Sequence, residues 1–311
     1  MAEDVIITGA SGFVGSHVAA HLASNGYHVH ALALPGERIP DALCGEGITV
    51  VRADLATCDI HALVLPKDPV CLFHFAWAGV APESRSSIEE QKRNVDLTLR
   101  AVELAHQQGA KRFVFPGSTM EYSYAGTVIN RSTPPTPQDA YGAAKISARY
   151  FAELLCRQHG IDFLYTVISG IYAPDRLGSN VITYTIEKLL AGERPSLTKL
   201  EQLWDYVHID DVVRAFRLVM ERGKNGGFYC IGHGDNWPLH NYIYLIRDLI
   251  DPSLPLGVGD VPYKDEVMPM SCVDLSEIER DTGYEPSIDF KDGVASMIEA
   301  VRRRMGQRSE N

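Results

Sequence analysis

Three glycines within seven residues impose the first constraint on this chain. Gly9-Ala10-Ser11-Gly12-Phe13-Val14-Gly15 follows the apolar run Val5-Ile6-Ile7 and opens a helical pattern from Gly12 to Asn25. Phe13, Val14, Val18, Ala19 and Leu22 fall on one face of that helix, and Gly26 closes it. Strand, glycine turn and helix in this order present backbone N–H groups and the positive end of a helix dipole to a phosphate. Gly9 permits the tight turn, Gly12 lets backbone approach a pyrophosphate, and Gly15 lets the helix pack on the strand. The segment therefore points to a dinucleotide site.

The same rhythm continues along the chain. Strands are expected at Val29–Leu34, Thr49–Val51, Val70–Phe75, Arg112–Pro116 and Phe163–Ser169, with helices at Asn94–Gln107 and Tyr141–His159. Continuous apolar strands alternating with helices predict an α/β protein, a Rossmann-type doubly wound parallel sheet covered on both faces. After Ser169 prolines and glycines become frequent. Helices are expected at Ile182–Leu190, Asp210–Glu221 and Asn241–Leu249, in a smaller C-terminal substrate-binding lobe. The expected division is residues 1–169 for the dinucleotide-binding domain, with 205–222 returning to it, and 170–204 plus 223–311 for the lobe.

Composition removes other classes. With 29 Lys plus Arg against 40 Asp plus Glu, the formal charge is −11, which works against a nucleic-acid binder. Arg302-Arg303-Arg304 is the one basic run, and it reads as cations closing a terminal helix. The most apolar stretch, Val70–Ala81, is interrupted by His74 and Gly79, so no membrane span is expected. No basic segment precedes the first strand, so no signal peptide is expected. The six cysteines are scattered without a CxxC pair, so neither a disulfide framework nor a metal site is expected, and the expected compartment is the cytoplasm.

Two further segments carry chemistry. Tyr141 and Lys145 are four apart at the start of a helix, so they share a face. A cation near a phenol favours its ionised form and suits it to moving a proton at a carbinol carbon during hydride transfer. Ser118 follows the fifth strand, at the edge where a parallel sheet places its ligands, and its hydroxyl can stabilise charge on a substrate oxygen. Thr119 is the fallback. A turn-capping hydroxyl is the plainer reading of Ser118.

The glycine spacing GxxGxxG with Ser118, Tyr141 and Lys145 resembles the extended short-chain dehydrogenase/reductase family, the NAD-dependent epimerase/dehydratases that modify nucleotide sugars. Further segments extend the resemblance over nearly the whole chain: His74-Phe75-Ala76-Trp77-Ala78-Gly79, Asn94, Ile171-Tyr172-Ala173-Pro174, Asp205-Tyr206-Val207-His208-Ile209-Asp210-Asp211 and Thr282-Gly283-Tyr284-Glu285-Pro286. The resemblance implies cofactor contacts at Gly9, Ser11, Gly12, Phe13, Val14 and Gly15. It also implies them at Asp54 and Leu55 for the adenine, at Phe75, Ala76 and Trp77 beneath the nicotinamide half, and at Tyr141 and Lys145. It implies substrate contacts at Ser118, Thr119 and Asn180, and a homodimer through the two long helices. Asn94 would tie backbone together near the active site.

Several departures narrow the expectation. The ribose acid expected after the second strand falls on Ala33, and no acid appears until Glu37. Arg38 is a candidate for a 2′-phosphate, so the cofactor is NAD or NADP with a tilt to NADP. Trp204 stands where many epimerases carry an arginine facing the substrate diphosphate. It would stack on a base or simply anchor the lobe. A second family arginine is also missing, since Lys264 is the one cation between Val261 and Val273. Other cations such as Arg176 or Lys199 would then serve. Dehydratases of the family carry an Asp-Glu pair directly after the catalytic hydroxyl; here Thr119-Met120 follows Ser118, and Glu121 is expected to face a loop. The first expectation is a 4-keto-sugar reductase acting on a nucleotide-activated hexose, the second a 4-epimerase. The alternative of another class is a non-catalytic dinucleotide-binding sensor.

Overall fold

A computed structural model of the chain describes residues 2–81, 83–122, 126–176, 180–263 and 270–309. The chain begins β1 (Asp4–Thr8), α1 (Phe13–Ser24), β2 (His28–Ala33), β3 (Ile48–Arg52), β4 (Cys71–His74) and α2 (Ile88–Gln108). It continues β5 (Arg112–Ser118), α3 (Ala140–His159), β6 (Asp162–Ile168), β7 (Gly170–Tyr172), α4 (Val181–Leu190), β8 (Ser196–Leu197), β9 (Leu203–Trp204), β10 (Tyr206–His208) and α5 (Ile209–Arg222). It ends β11 (Gly227–Ile231), β12 (Trp237–Pro238), α6 (Leu239–Ile250), β13 (Gly257–Val258), α7 (Ser276–Thr282) and α8 (Phe290–Ser309).

Seven strands form one parallel sheet in the order β11-β6-β5-β4-β1-β2-β3. The order reverses between β1 and β4. At such a switch point connections leave to opposite faces and open a crevice at the carboxyl ends of the strands. Helices cover both faces, which is why β1, β4, β5 and β6 are apolar without alternation and nearly wholly buried. β11 is the edge strand next to β6, so the sheet draws in residues beyond the 205–222 segment expected to return.

Two boundaries differ instructively from the sequence pattern. α2 starts at Ile88, six residues before Asn94, because Ser87 caps it by accepting from the Glu90 N–H and two glutamates occupy the first turn. The terminal basic run lies inside α8, where Arg304 pairs with Glu187 and Arg302 with Glu299. Beyond the main sheet, a second apolar cluster joins Ile182 and Ile186 of α4, Ile243 of α6 and Val294 of α8. Tyr242 is its hub, with ring centroids 4.7 Å from Phe290 and 5.0 Å from Tyr206. β7 and β10 pair in parallel and connect this cluster to the end of β6. Among the described residues no helix is long and apolar enough to cross a membrane.

His74 closes β4 and is buried. Its Nε2 lies 3.2 Å from the Thr98 hydroxyl, which itself donates to the Asn94 carbonyl. Thr98 must therefore accept from His74, and Nδ1 accepts from Thr8 at 2.7 Å. Burial holds this neutral ring down to about 3, against 6.5 unperturbed. Because the unfolded chain binds that proton first, stability is complete above pH 6.5 and falls as pH drops toward 3. Urea unfolding should lose about 2 kcal/mol from His74 between pH 6.5 and 5. The His74→Gln protein should lack that part of the slope; an identical slope in both would contradict the assignment.

Candidate active site

The glycine turn sits at the switch point. Gly9 has φ +67°, and a Cβ there would stand 2.4 Å from the backbone nitrogen of Ala76 after β4. A Cβ on Gly15 would stand 2.3 Å from the Gly9 carbonyl, so α1 lies directly on the turn. Phe13 and Val14 open α1, with Gly12 as its extended cap residue and no side chain capping the free N–H groups. Those N–H groups are what a phosphate would meet.

Ser11 within this turn donates to Glu37 Oε2 at 2.6 Å, and the Leu34 N–H approaches the same oxygen at 3.3 Å. Arg52 Nη1 braces the Leu34 and Glu37 carbonyls at 2.9 and 2.6 Å. An acid does reach the glycine turn from the end of β2, four residues later than the pattern places it. Pro35 and Gly36 (φ +80°) turn the chain so that Glu37 folds back. Glu37 meets the turn through Ser11, and the exposed Arg38 follows it. Asp54 accepts from Ala56 N and the Thr57 hydroxyl, shaping the loop after β3, and Leu55 beside it is buried in the core.

β4 leads into Phe75, Ala76 and Trp77. Asn94 grips the next residue from α2: Oδ1 accepts from Ala78 N and Nδ2 donates to Ala78 O, both at 2.9 Å. Trp77 donates to Gln91 at 2.9 Å and meets the Tyr141 ring edge-on at 6.0 Å. Two helix residues therefore fix this loop beside Tyr141.

The structure brings Ser118, Tyr141 and Lys145 together. The Ser118 hydroxyl lies close enough to the Tyr141 phenol to favour its ionised form. Burial pushes the Tyr141 phenol up to about 12, and the Ser118 hydroxyl opposes that push. Lys145 is buried; its ammonium donates to the Pro116 carbonyl at 3.0 Å and lies 3.8 Å from the Trp77 ring. It stands 5.9 Å from the Tyr141 ring, so it braces the floor of the site rather than ion-pairing with the phenol. Burial pulls the Lys145 ammonium down, and Glu121 opposes that pull.

Glu121 overturns its sequence reading. Instead of facing a loop it is fully buried beneath Ser118. One carboxylate oxygen accepts from the Ser118 N–H at 2.7 Å and the other from the Tyr165 hydroxyl. Ser118 Oγ in turn accepts from Met120 N at 3.2 Å. Ser118 and Glu121 thus form a reciprocal cap on the single turn Thr119–Glu121, and the capping and catalytic readings of Ser118 coexist. Burial pushes the Glu121 carboxyl up, while the Tyr165 and Ser118 bonds and the charges of Lys145 and Arg149 hold it down. Thr119 is buried and hydrogen-bonded by Ser271 at 3.1 Å.

On the lobe side, Asn180 caps α4 by accepting from Thr183 N at 2.9 Å. Trp204 is half-buried, pairs across β9–β12 with Trp237, and keeps its indole N–H without a partner. Asp205 is buried and accepts from the His233 and Gly234 N–H groups, each at 3.0 Å; burial raises its carboxyl to about 6. Lys199 is exposed beside Gly259, and Lys264 lies outside the described residues. Asp4, His28 and His30, at the opposite end of the sheet, form the one group among the described residues compact enough to share a metal ion. Asp4 Oδ1 already bonds both rings, at 3.1 and 2.9 Å.

The profile of the NAD dependent epimerase/dehydratase family matches residues 5–232. The chain belongs to that family and is an enzyme of the extended short-chain dehydrogenase type. It is 27% identical to a dTDP-glucose 4,6-dehydratase of Streptomyces antibioticus, over 96% of this chain and 92% of the relative. It is 24% identical to a UDP-glucose 4-epimerase of Mycolicibacterium smegmatis, over 96% and 98%. The structure of MoeE5 in complex with UDP-glucuronic acid and NAD superposes with a TM-score of 0.82 at 26% identity, over 97% of this chain and 99% of that one.

The buried carboxylate generates a stability prediction. Glu121→Val would leave the Ser118 N–H, the Tyr165 hydroxyl and the Lys145 ammonium without their acceptor or counter-charge. It should cost about 3–5 kcal/mol in urea unfolding. A cost below about 1 kcal/mol, the scale of one ordinary hydrogen bond, would contradict this role.

Proposed function

We propose that this enzyme is an NAD-dependent 4-epimerase of a nucleotide-activated hexose. The observation that carries the reading is Tyr141, half-buried next to Ser118 and to the Trp77 ring that holds Lys145, beside a glycine turn that Glu37 closes. The turn fits a dinucleotide: its glycines leave space that a Cβ would fill, and the N–H groups of α1 are uncapped. Bound NAD supplies reversible hydride acceptance. Ser118 orients the C4 oxygen, and Tyr141 takes the C4 hydroxyl proton as phenolate, a form the positive charge of bound NAD would favour, and returns it when the keto sugar is reduced. Lys145 and Trp77 hold the floor beneath the reacting carbon.

Glu37 favours NAD over NADP, because a carboxylate at the ribose accepts from a 2′-hydroxyl and repels a 2′-phosphate. This removes the main support for the NADP tilt and for a reductase with exchangeable cofactor. The relatives argue in the same direction, as epimerases and dehydratases by name. Dehydration is disfavoured because Thr119 is engaged by Ser271 and the nearby acid, Glu121, is buried under the strand end. The homodimer proposal rests on α3, whose Tyr150, Phe151 and Leu154 are 50%, 54% and 46% exposed beside α2.

The test uses UDP- and dTDP-hexoses deuterated at C4. The wild type should interconvert C4 epimers with deuterium retained at C4 and without added cofactor. Tyr141→Phe should lose about 10²–10⁴-fold in turnover while NAD binding is kept. Conversion of a 4-keto sugar only with stoichiometric consumption of added NADPH would replace the epimerase by a reductase. The same preparation should sediment as a dimer at micromolar concentration; a monomer removes that proposal.

A further inference from the structure

Several arginines in this acidic chain are neutralised by carboxylates. Arg131 pairs with Glu277, Arg194 with Asp260, Arg214 with Asp211, Arg217 with Glu221, and Arg304 with Glu187. Two that flank the candidate active site make no ion pair with any described residue. Arg85 lies in the loop between β4 and α2. Its Nε donates to the Val80 carbonyl at 2.8 Å, and its guanidinium lies 5.6 Å from the centroid of the Tyr141 ring. The Arg85 carbonyl accepts from Tyr141 N at 3.1 Å, which staples that loop to the start of α3. Arg176 follows β7. It donates one N–H to the Ile171 carbonyl at 2.8 Å, and its guanidinium sits 4.9 Å over the Phe13 ring of the glycine turn.

These cations come from opposite sides of the crevice and feel each other. Arg176 stays charged, but burial lowers its guanidinium from its ordinary range, with Tyr206 opposing the shift and the charge of Arg85 adding to it. The neighbouring acid does not relieve this, because Asp175 is turned to His17 at 3.1 Å. Each guanidinium has five N–H donors, and one apiece is committed to a protein carbonyl in the bonds above. Two like charges held near one another with free planar donors are destabilising alone and become favourable around a dianion. The pyrophosphate of the cofactor already has the uncapped N–H groups at the start of α1. What remains without a cation is the second diphosphate.

Resting on the nucleotide-sugar reading above, we propose that Arg85 and Arg176 clamp the substrate diphosphate, one from each side of the Tyr141–Phe13 crevice. The clamp serves in place of the cations missing at Trp204 and in the stretch between Val261 and Val273. It ties substrate binding to Tyr141 through Arg85 and to the glycine turn through Arg176. Guanidinium geometry matters as well as charge, since a planar fork meets two phosphate oxygens and an ammonium meets one point.

Titration calorimetry of the NAD-loaded protein with UDP and with dTDP tests this. Arg85→Ala and Arg176→Ala should each weaken nucleoside diphosphate binding about tenfold, and the double variant about a hundredfold. Arg176→Lys should recover only part of the loss. Uridine and NAD should bind all variants within about twofold of wild type, which also shows that the variants are folded. Unchanged UDP and dTDP affinity in the double variant, against a wild type that binds either one, would overturn the clamp alone. So would a loss confined to NAD, which would assign the cations to the cofactor pyrophosphate. A wild type that binds neither nucleoside diphosphate would overturn the nucleotide-sugar reading, and the clamp with it.

Discussion

The close approach of two backbone segments at the switch point organises the molecule. Gly9 at the end of β1 leaves no room for a Cβ against Ala76 after β4. The two chains can meet there only because the position is a glycine in the left-handed region. That contact sets where α1 begins, and so where its free N–H groups point. It also sets where Phe75, Ala76 and Trp77 emerge, and Asn94 and Gln91 then lock that loop from α2. Trp77 in turn supports Lys145 and meets Tyr141. A larger residue at Gly9 would displace both halves of the site together.

Electrostatics within this frame are arranged by burial. Tyr141, Lys145 and Glu121 sit in the same dry region, where burial favours the neutral form of each. Glu121 and Lys145 oppose that tendency in each other across the strand end that carries Ser118. The cap between Ser118 and Glu121 makes the serine rigid on both its backbone and its hydroxyl. A site that moves one proton and one hydride benefits from donors already in place. At the outer edge the balance reverses: Arg85 and Arg176 keep charge that no described carboxylate cancels, and this is where an anionic substrate gains most.

How much of this could be read from the sequence depended on distance along the chain. The glycine turn and the Tyr141/Lys145 pair were legible because their geometry is local, within one turn or one helix face. The doubly wound sheet was expected from the strand–helix rhythm; the β7–β10 bridge was not, since nothing local marks which short strands pair. Glu121 was misplaced although a signal existed. Ser118 followed three residues later by Glu121 is the pattern of a reciprocal cap, as is Ser87 followed by Glu90 at the true start of α2. Glu37 was passed over because Pro35 and Gly36 bend the loop back, which moves the acid four residues from its usual place. Arg85 carried no signal at all, because its place beside Tyr141 depends on how the β4–α2 loop folds against α3.

The central claim is that this site retains NAD and uses it reversibly on one substrate. It is tested most directly by denaturing the purified protein and identifying the released nucleotide by chromatography and mass. The account predicts NAD(H) near one equivalent per chain, free of NADP(H). A protein that releases no nucleotide and binds NADPH more tightly than NADH would contradict it.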